Sequence, residues 1–129
     1  MGQSRGPSPW RDLEVNPAPQ RGCFYWVSIP GEPAAKRRPA LVVSVNSRNR
    51  LAGDVLVIPA STTLRPAPTH VQLKRGTGGL PRDSVLKCEQ ITTLPKWLLG
   101  ESALGGQLSA ALLEDVERGV LRAIGVPVP

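Results

Sequence analysis

The chain has one histidine, two distant cysteines and no apolar run that approaches a membrane span, and each shortage removes a class of chemistry. With Cys23 and Cys88 far apart and no second pair, neither a zinc-finger spacing nor a disulfide framework is present. Both cysteines are expected to be small core or edge residues. His70 stands alone and the acidic residues show no ligand spacing, so no metal or other cofactor is expected. No P-loop or GxGxxG precedes a helix, and GTGG at 76–79 sits between strands as a flexible turn. No nucleophile elbow surrounds a serine, so a Ser-His-Asp triad built on His70 has no support. The N-terminus lacks the uninterrupted apolar segment of a signal peptide. These absences lead to the expectation of a soluble, cytoplasmic protein.

What is present is positive charge on a chain of single-domain length. The 129 residues suit one core. Sixteen Lys and Arg against ten Asp and Glu leave a net charge of +6. That balance favours a polyanionic partner: nucleic acid, an acidic protein or an acidic membrane surface. Fourteen prolines and thirteen glycines imply short elements and many turns.

Residues 1–20, with four prolines and few apolar side chains, are expected to form a flexible arm before a single domain over 21–129. Trp10 and Leu13 are its only candidates for docking on that domain. From Arg21 the texture changes. CFYWVSI (23–29), ALVVSVN (40–46), DVLVIPAST (54–62) and HVQLK (70–74) read as strands, with Pro39 at the entrance of the second. SRNRLAGD reads as a polar connection. SVLKCEQITTL (84–94) reads as a longer strand whose broken alternation at Val85, Cys88 and Ile91 predicts a bulge. Leu108, Leu112, Leu113, Val116, Val120, Leu121 and Ile124 recur at helical spacing, with Ser109 as N-cap and Gly125 and Pro127 as the stop. No internal repeat is visible. The predicted fold is mainly β with a C-terminal helix: a small SH3-like barrel or twisted antiparallel sheet.

The polar residues gather at strand ends. Arg37 and Arg38 open the second strand, Ser61, Thr62 and Thr63 close the third, and Arg65 and His70 flank the next loop. Planar guanidinium groups suit phosphate, and hydroxyls can bond the same oxygens. RNA carries a 2′-OH able to attack its own phosphodiester, so cleavage needs only charge stabilisation and proton transfer, not a metal. On pattern alone, solvated surface charges and ordinary turn hydroxyls explain these residues better.

The order RGCFYWV, GEPAAKRRPALVVS, VLVIPAST, PTHVQL, SVLKCEQITTL and a closing amphipathic helix resembles the MazF/PemK family of toxin endoribonucleases, from about Arg21 to Val126. The resemblance implies a MazF/CcdB-like fold, a homodimer, and metal-independent cleavage of single-stranded mRNA at short sequence motifs. Cleavage would leave 2′,3′-cyclic phosphate and 5′-OH ends. It also implies a cognate antitoxin whose acidic, extended segment occupies the RNA groove. By this resemblance the catalytic arginine, which directly precedes the strand proline, is Arg38. The family's catalytic threonine falls at Ser61, so either Ser61 supplies the hydroxyl with less rotamer restraint or adjacent Thr62 does. Glu32, Lys36, Arg37, Arg65, His70 and Gln90 are the candidate RNA-binding residues. Two rivals share the fold: a CcdB-type gyrase poison without nuclease activity, and a non-catalytic RNA-binding module.

Overall fold

A computed structural model describes residues 17–33 and 36–129. Most of the arm, including Trp10 and Leu13, therefore lies outside the described residues. Its final residues, 17–20, are described: Ala18 is buried, and the Gln20 N–H donates to the Tyr25 hydroxyl at 2.9 Å.

Six strands, β1 (Phe24–Ser28), β2 (Arg37–Val42), β3 (Asp54–Ser61), β4 (His70–Leu73), β5 (Ser84–Lys87) and β6 (Thr92–Pro95), form one antiparallel sheet. Its order is β1-β2-β3-β5-β4, with β6 also on β3. Helix α1 (Asn46–Leu51) links β2 to β3, and α2 (Ala110–Ala123) closes the chain. The expectation of a mainly antiparallel sheet with a C-terminal helix holds, in its open, twisted form. Among the described residues the ladder does not close. Beyond one bridge, Val27↔Leu99, the outer edge of β1 is covered by backbone bonds from a loop: Gly100, Leu104 and Leu108 donate to Trp26, Phe24 and Gly22.

Two prolines set where the ladder breaks. The Val42 N–H donates to Cys23 and the Val43 N–H to Leu56, so successive β2 residues bond opposite neighbours. By that alternation Pro39 would have to donate toward β3, and the β2–β3 ladder stops at Ala40↔Pro59. The strand itself begins at Arg37, so Pro39 lies within β2 and not at its entrance. Pro59 falls on the other edge of β3, in the gap between its pairing with β6, which ends at Val57↔Thr92, and with β5, which starts at Ala60↔Leu86. The bulge predicted for 84–94 occupies this gap as a full 3₁₀ turn, Cys88–Gln90. The single long strand is thereby divided into β5 and β6.

Two further expectations are corrected. The span 46–51 is a helix, not a coil. Its one buried residue is Asn49, whose amide donates to the Ser44 carbonyl at 2.9 Å while the Ser44 hydroxyl meets its Oδ1. Hydrophobic periodicity cannot see a helix docked through an amide. In α2, Ser109 caps the first turn by accepting from the Leu112 N–H at 3.2 Å, as expected. Ile124, placed on the apolar face by spacing, is exposed, because the helix ends at Ala123 and the chain turns away through Gly125.

The sheet has a core on each face. Phe24, Leu41, Ile58, Leu73, Leu80 and Leu86 pack with Leu108 and Val116 of the C-terminal part. Tyr25, Val27, Ala40, Val42, Val55 and Val57 pack with Leu94 and the 98–103 segment. Cys23 and Cys88 are free and buried, and burial pushes the Cys88 thiol up to about 11.

The loop between β4 and β5 tucks its tip into the first core. Gly79 has φ of +87°, and a Cβ there would stand 2.4 Å from the Leu104 carbonyl oxygen. Left-handed strain and overlap with fixed backbone together predict that Gly79→Ala costs about 2–4 kcal/mol. Urea unfolding should show the lower midpoint at unchanged slope. An unchanged midpoint would mean the tip is not packed as described.

Candidate functional site

The second core face turns polar at one end of the sheet. Along β2 its members run Val42, Ala40, Arg38, and along β3 they run Val55, Val57, Pro59, Ser61. The register Ala40↔Pro59, carried two residues further on each strand, sets Arg38 opposite Ser61 on that face. Pro39 has removed the ladder bond that would bind the strands together here. An arginine and a hydroxyl thus share one face at two neighbouring strand ends.

Arg38 is held from the loop side. Its Nε donates to both Glu32 carboxylate oxygens, at 3.0 and 3.2 Å, and its Nη2 donates to Oε2 at 3.0 Å. Both side chains keep 27% of their exposure. The carboxylate takes the Nε–Nη2 side of the guanidinium, and among the described residues Nη1 has no partner. A planar fork bound along one side still offers its Nη1–Nη2 end to a second anion. The hydrogen bond from Arg38 holds the Glu32 carboxyl below its ordinary value of 4.5. Desolvation opposes this, and the charges of Arg38 and Lys36 add to it.

Ser61 is half-buried, and its Oγ accepts from the Thr63 N–H at 3.1 Å. That bond supplies a restraint on the hydroxyl that the missing threonine methyl would otherwise provide, and it leaves the O–H free to donate. Thr62 follows the last residue of β3 and is exposed.

The remaining candidates do not form one cluster. Lys36 is exposed, and its N–H donates to the Pro33 carbonyl within the Glu32 loop. Arg37 follows the opposite face of β2 from Arg38, and its guanidinium reaches over Gly100 beside β1. Arg65 is exposed on the loop after Ser61. His70 is nearly enclosed: 10% of its side chain is exposed. Its Nδ1 donates to the Arg65 carbonyl at 2.8 Å, and its Nε2 lies 3.1 Å from Glu89 Oε2. Gln90 is exposed at the end of the 3₁₀ turn that carries Glu89.

Glu89, which the sequence did not single out, organises this second cluster. Burial pushes its carboxyl up. Bonds from Thr69 Oγ1 at 2.7 Å, from its own N–H and from His70 outweigh that and leave it low. Its only signal was a charge inside an apparent strand. Among the described residues no group of His, Cys, Asp and Glu could hold a metal ion, and no helix is long and apolar enough to cross a membrane.

A small antiparallel sheet thus carries an arginine, a hydroxyl and exposed cations toward one end, and guanidinium and hydroxyl groups are of the kind that suit an anion. Residues 20–124 match the model of the PemK-like, MazF-like toxin of type II toxin–antitoxin systems, and the chain belongs to that family. It is 37% identical over 110 residues to Endoribonuclease MazF6 of Mycobacterium tuberculosis, covering 81% of this chain and 95% of that one. It is 32% identical over 112 residues to Endoribonuclease MazF4 of the same organism, covering 87% and 98%. A solved mycobacterial endoribonuclease in complex with its cognate antitoxin superposes with a TM-score of 0.72 at 31% identity, covering 87% of this chain and 100% of that one.

The Glu32–Arg38 pair carries a pH signature. A carboxyl with a depressed folded value contributes stability above its unfolded value, near 4.5, and loses it as pH falls through the folded one. NMR titration of the Glu32 carboxyl should give a midpoint below 4.5 in the native chain, returning toward 4.5 in Arg38→Ala. An ordinary midpoint in the native chain would mean that the pair does not form.

Proposed function

We propose that this chain is a toxin endoribonuclease that cleaves single-stranded mRNA at short sequence motifs without a metal and is neutralised by a cognate antitoxin. Its place of action on this reading is the cytoplasm, and its working form is a homodimer. The observation that carries the proposal is the facing pair of Arg38 and Ser61, with the free end of the Arg38 fork open to one phosphate. Family membership and the named activity of relatives up to 37% identical support it. The solved mycobacterial complex supports an antitoxin as partner.

In this reading the 2′-oxygen attacks the adjacent phosphorus as its proton passes to solvent, the P–O5′ bond breaks, and O5′ takes up a proton from solvent, leaving a 2′,3′-cyclic phosphate and a 5′-OH. Negative charge builds on the non-bridging oxygens, where Arg38 and the Ser61 hydroxyl donate. Glu32 fixes the fork along its other side. Ser61, and not Thr62, supplies the hydroxyl, since its position within β3 shares the face of Arg38. Lys36, Arg37 and Arg65 attract the flanking backbone. His70 and Glu89 shape the Arg65 loop, and Gln90 offers an amide to a base.

Incubation with a long unstructured RNA in EDTA tests this. Native protein should give discrete fragments with cyclic phosphate ends. Arg38→Ala should slow cleavage by about 10²–10³-fold, and Ser61→Ala by about 10-fold or more. RNA left intact by the native chain would favour the binding module or the gyrase poison. Normal cutting by Ser61→Ala with loss in Thr62→Ala would move the hydroxyl by one residue.

A further inference from the structure

The loop 74–83, which joins β4 to β5, carries Lys74, Arg75 and Arg82, cations to which nothing above assigns a role. All three are exposed. Among the described residues none of their side chains pairs with a carboxylate, whereas those of Arg21, Arg48 and Arg118 pair with Glu117, Asp54 and Glu114 or Asp115. The loop's own acid, Asp83, is spent on backbone: it accepts from the Arg75 N–H at 2.8 Å and ties the two feet of the loop together.

The tip is committed to the core, so the cations stand at the feet. The Gly76 N–H donates to the Leu80 carbonyl at 2.8 Å, Leu80 is buried, and Gly78 lies against Phe24 and Leu108. Lys74 and Arg75 directly follow the end of β4 at Leu73, and Arg82 stands two residues before β5 at Ser84. The pairs Leu73↔Ser84 and Ser61↔Val85 put those strand ends at the Ser61 end of the sheet. With strands ~4.8 Å apart, β5 and β4 stand about 5 and 10 Å to one side of β3.

Resting on the endoribonuclease reading, we propose that Lys74, Arg75 and Arg82 form a second phosphate-binding subsite. It holds the backbone of RNA flanking the cleaved bond, on the β5–β4 side. Phosphodiester oxygens are its ligands. Exposed ammonium and guanidinium groups on a rigid loop supply charge without base reading, which extends the footprint beyond the scissile phosphate. Each phosphate neutralised on single-stranded nucleic acid adds about 0.7 to the salt slope of binding.

The test compares the full native chain with Lys74→Gln/Arg75→Gln/Arg82→Gln. Binding to a long, fully 2′-O-methylated single strand, which cannot be cut, is followed across salt. The triple variant should lower the slope of log K against log[salt] by about 2 and weaken low-salt binding by about 10–100-fold. Arg50→Gln, which removes an exposed charge on α1 at the other end of the sheet, should bind as the native chain does. An unchanged slope in the triple variant, with the native chain binding RNA, overturns the proposal. So does intact RNA binding with lost affinity for poly-glutamate, which would give the surface to an acidic protein. A native chain that neither binds nor cuts RNA fails the endoribonuclease reading itself.

Discussion

The β2–β3 register is the constraint on which the rest of the site depends. Apolar residues at Ala40, Val42, Val55 and Val57 must share one buried face, and a slip of one residue would turn one strand's members onto the opposite face. The same register then forces Arg38 and Ser61 onto that face at its open end. Site geometry is thus inherited from core packing. Pro39 adds the second condition by ending the ladder where the two polar side chains begin.

Around that pair, charge is arranged by position along the strands. Away from the site end, Arg21 joins α2 to the β2 end through Glu117 and the Val43 carbonyl, and Arg48 closes on Asp54. At the site end Arg38 alone is paired, and Glu32 leaves one end of its fork free. Lys36, Arg37 and Arg65 have no carboxylate within ion-pair distance among the described residues. Part of the net charge of +6 is therefore uncompensated at that end, at Lys36 and Arg37. There it can draw in a polyanion before any specific contact is made.

Much of this was legible in the sequence. Strands 24–28, 54–61 and 70–73 announced themselves by β-branched and aromatic runs between turn residues, and α2 by its cap and periodicity. Arg38 and Ser61 were singled out by the resemblance, and the register extends to set them on one face. Three features were hidden for physical reasons. Helix α1 docks through Asn49, which no hydrophobic pattern reports. The turn Cys88–Gln90 lies inside an apolar run, and only the pairing of its flanks on β3 separates two strands from one. The bond between His70 and Glu89, nineteen residues apart in sequence, exists only after β4 and β5 pair.

The central claim is that Arg38 and Ser61 act on one phosphate, and a double-mutant cycle on RNA cleavage tests it most directly. If both donate to the same charge, their losses are coupled, and Arg38→Ala/Ser61→Ala should cut about as slowly as Arg38→Ala alone. If the two losses simply multiply, the residues act independently, and the facing pair is not the catalytic unit.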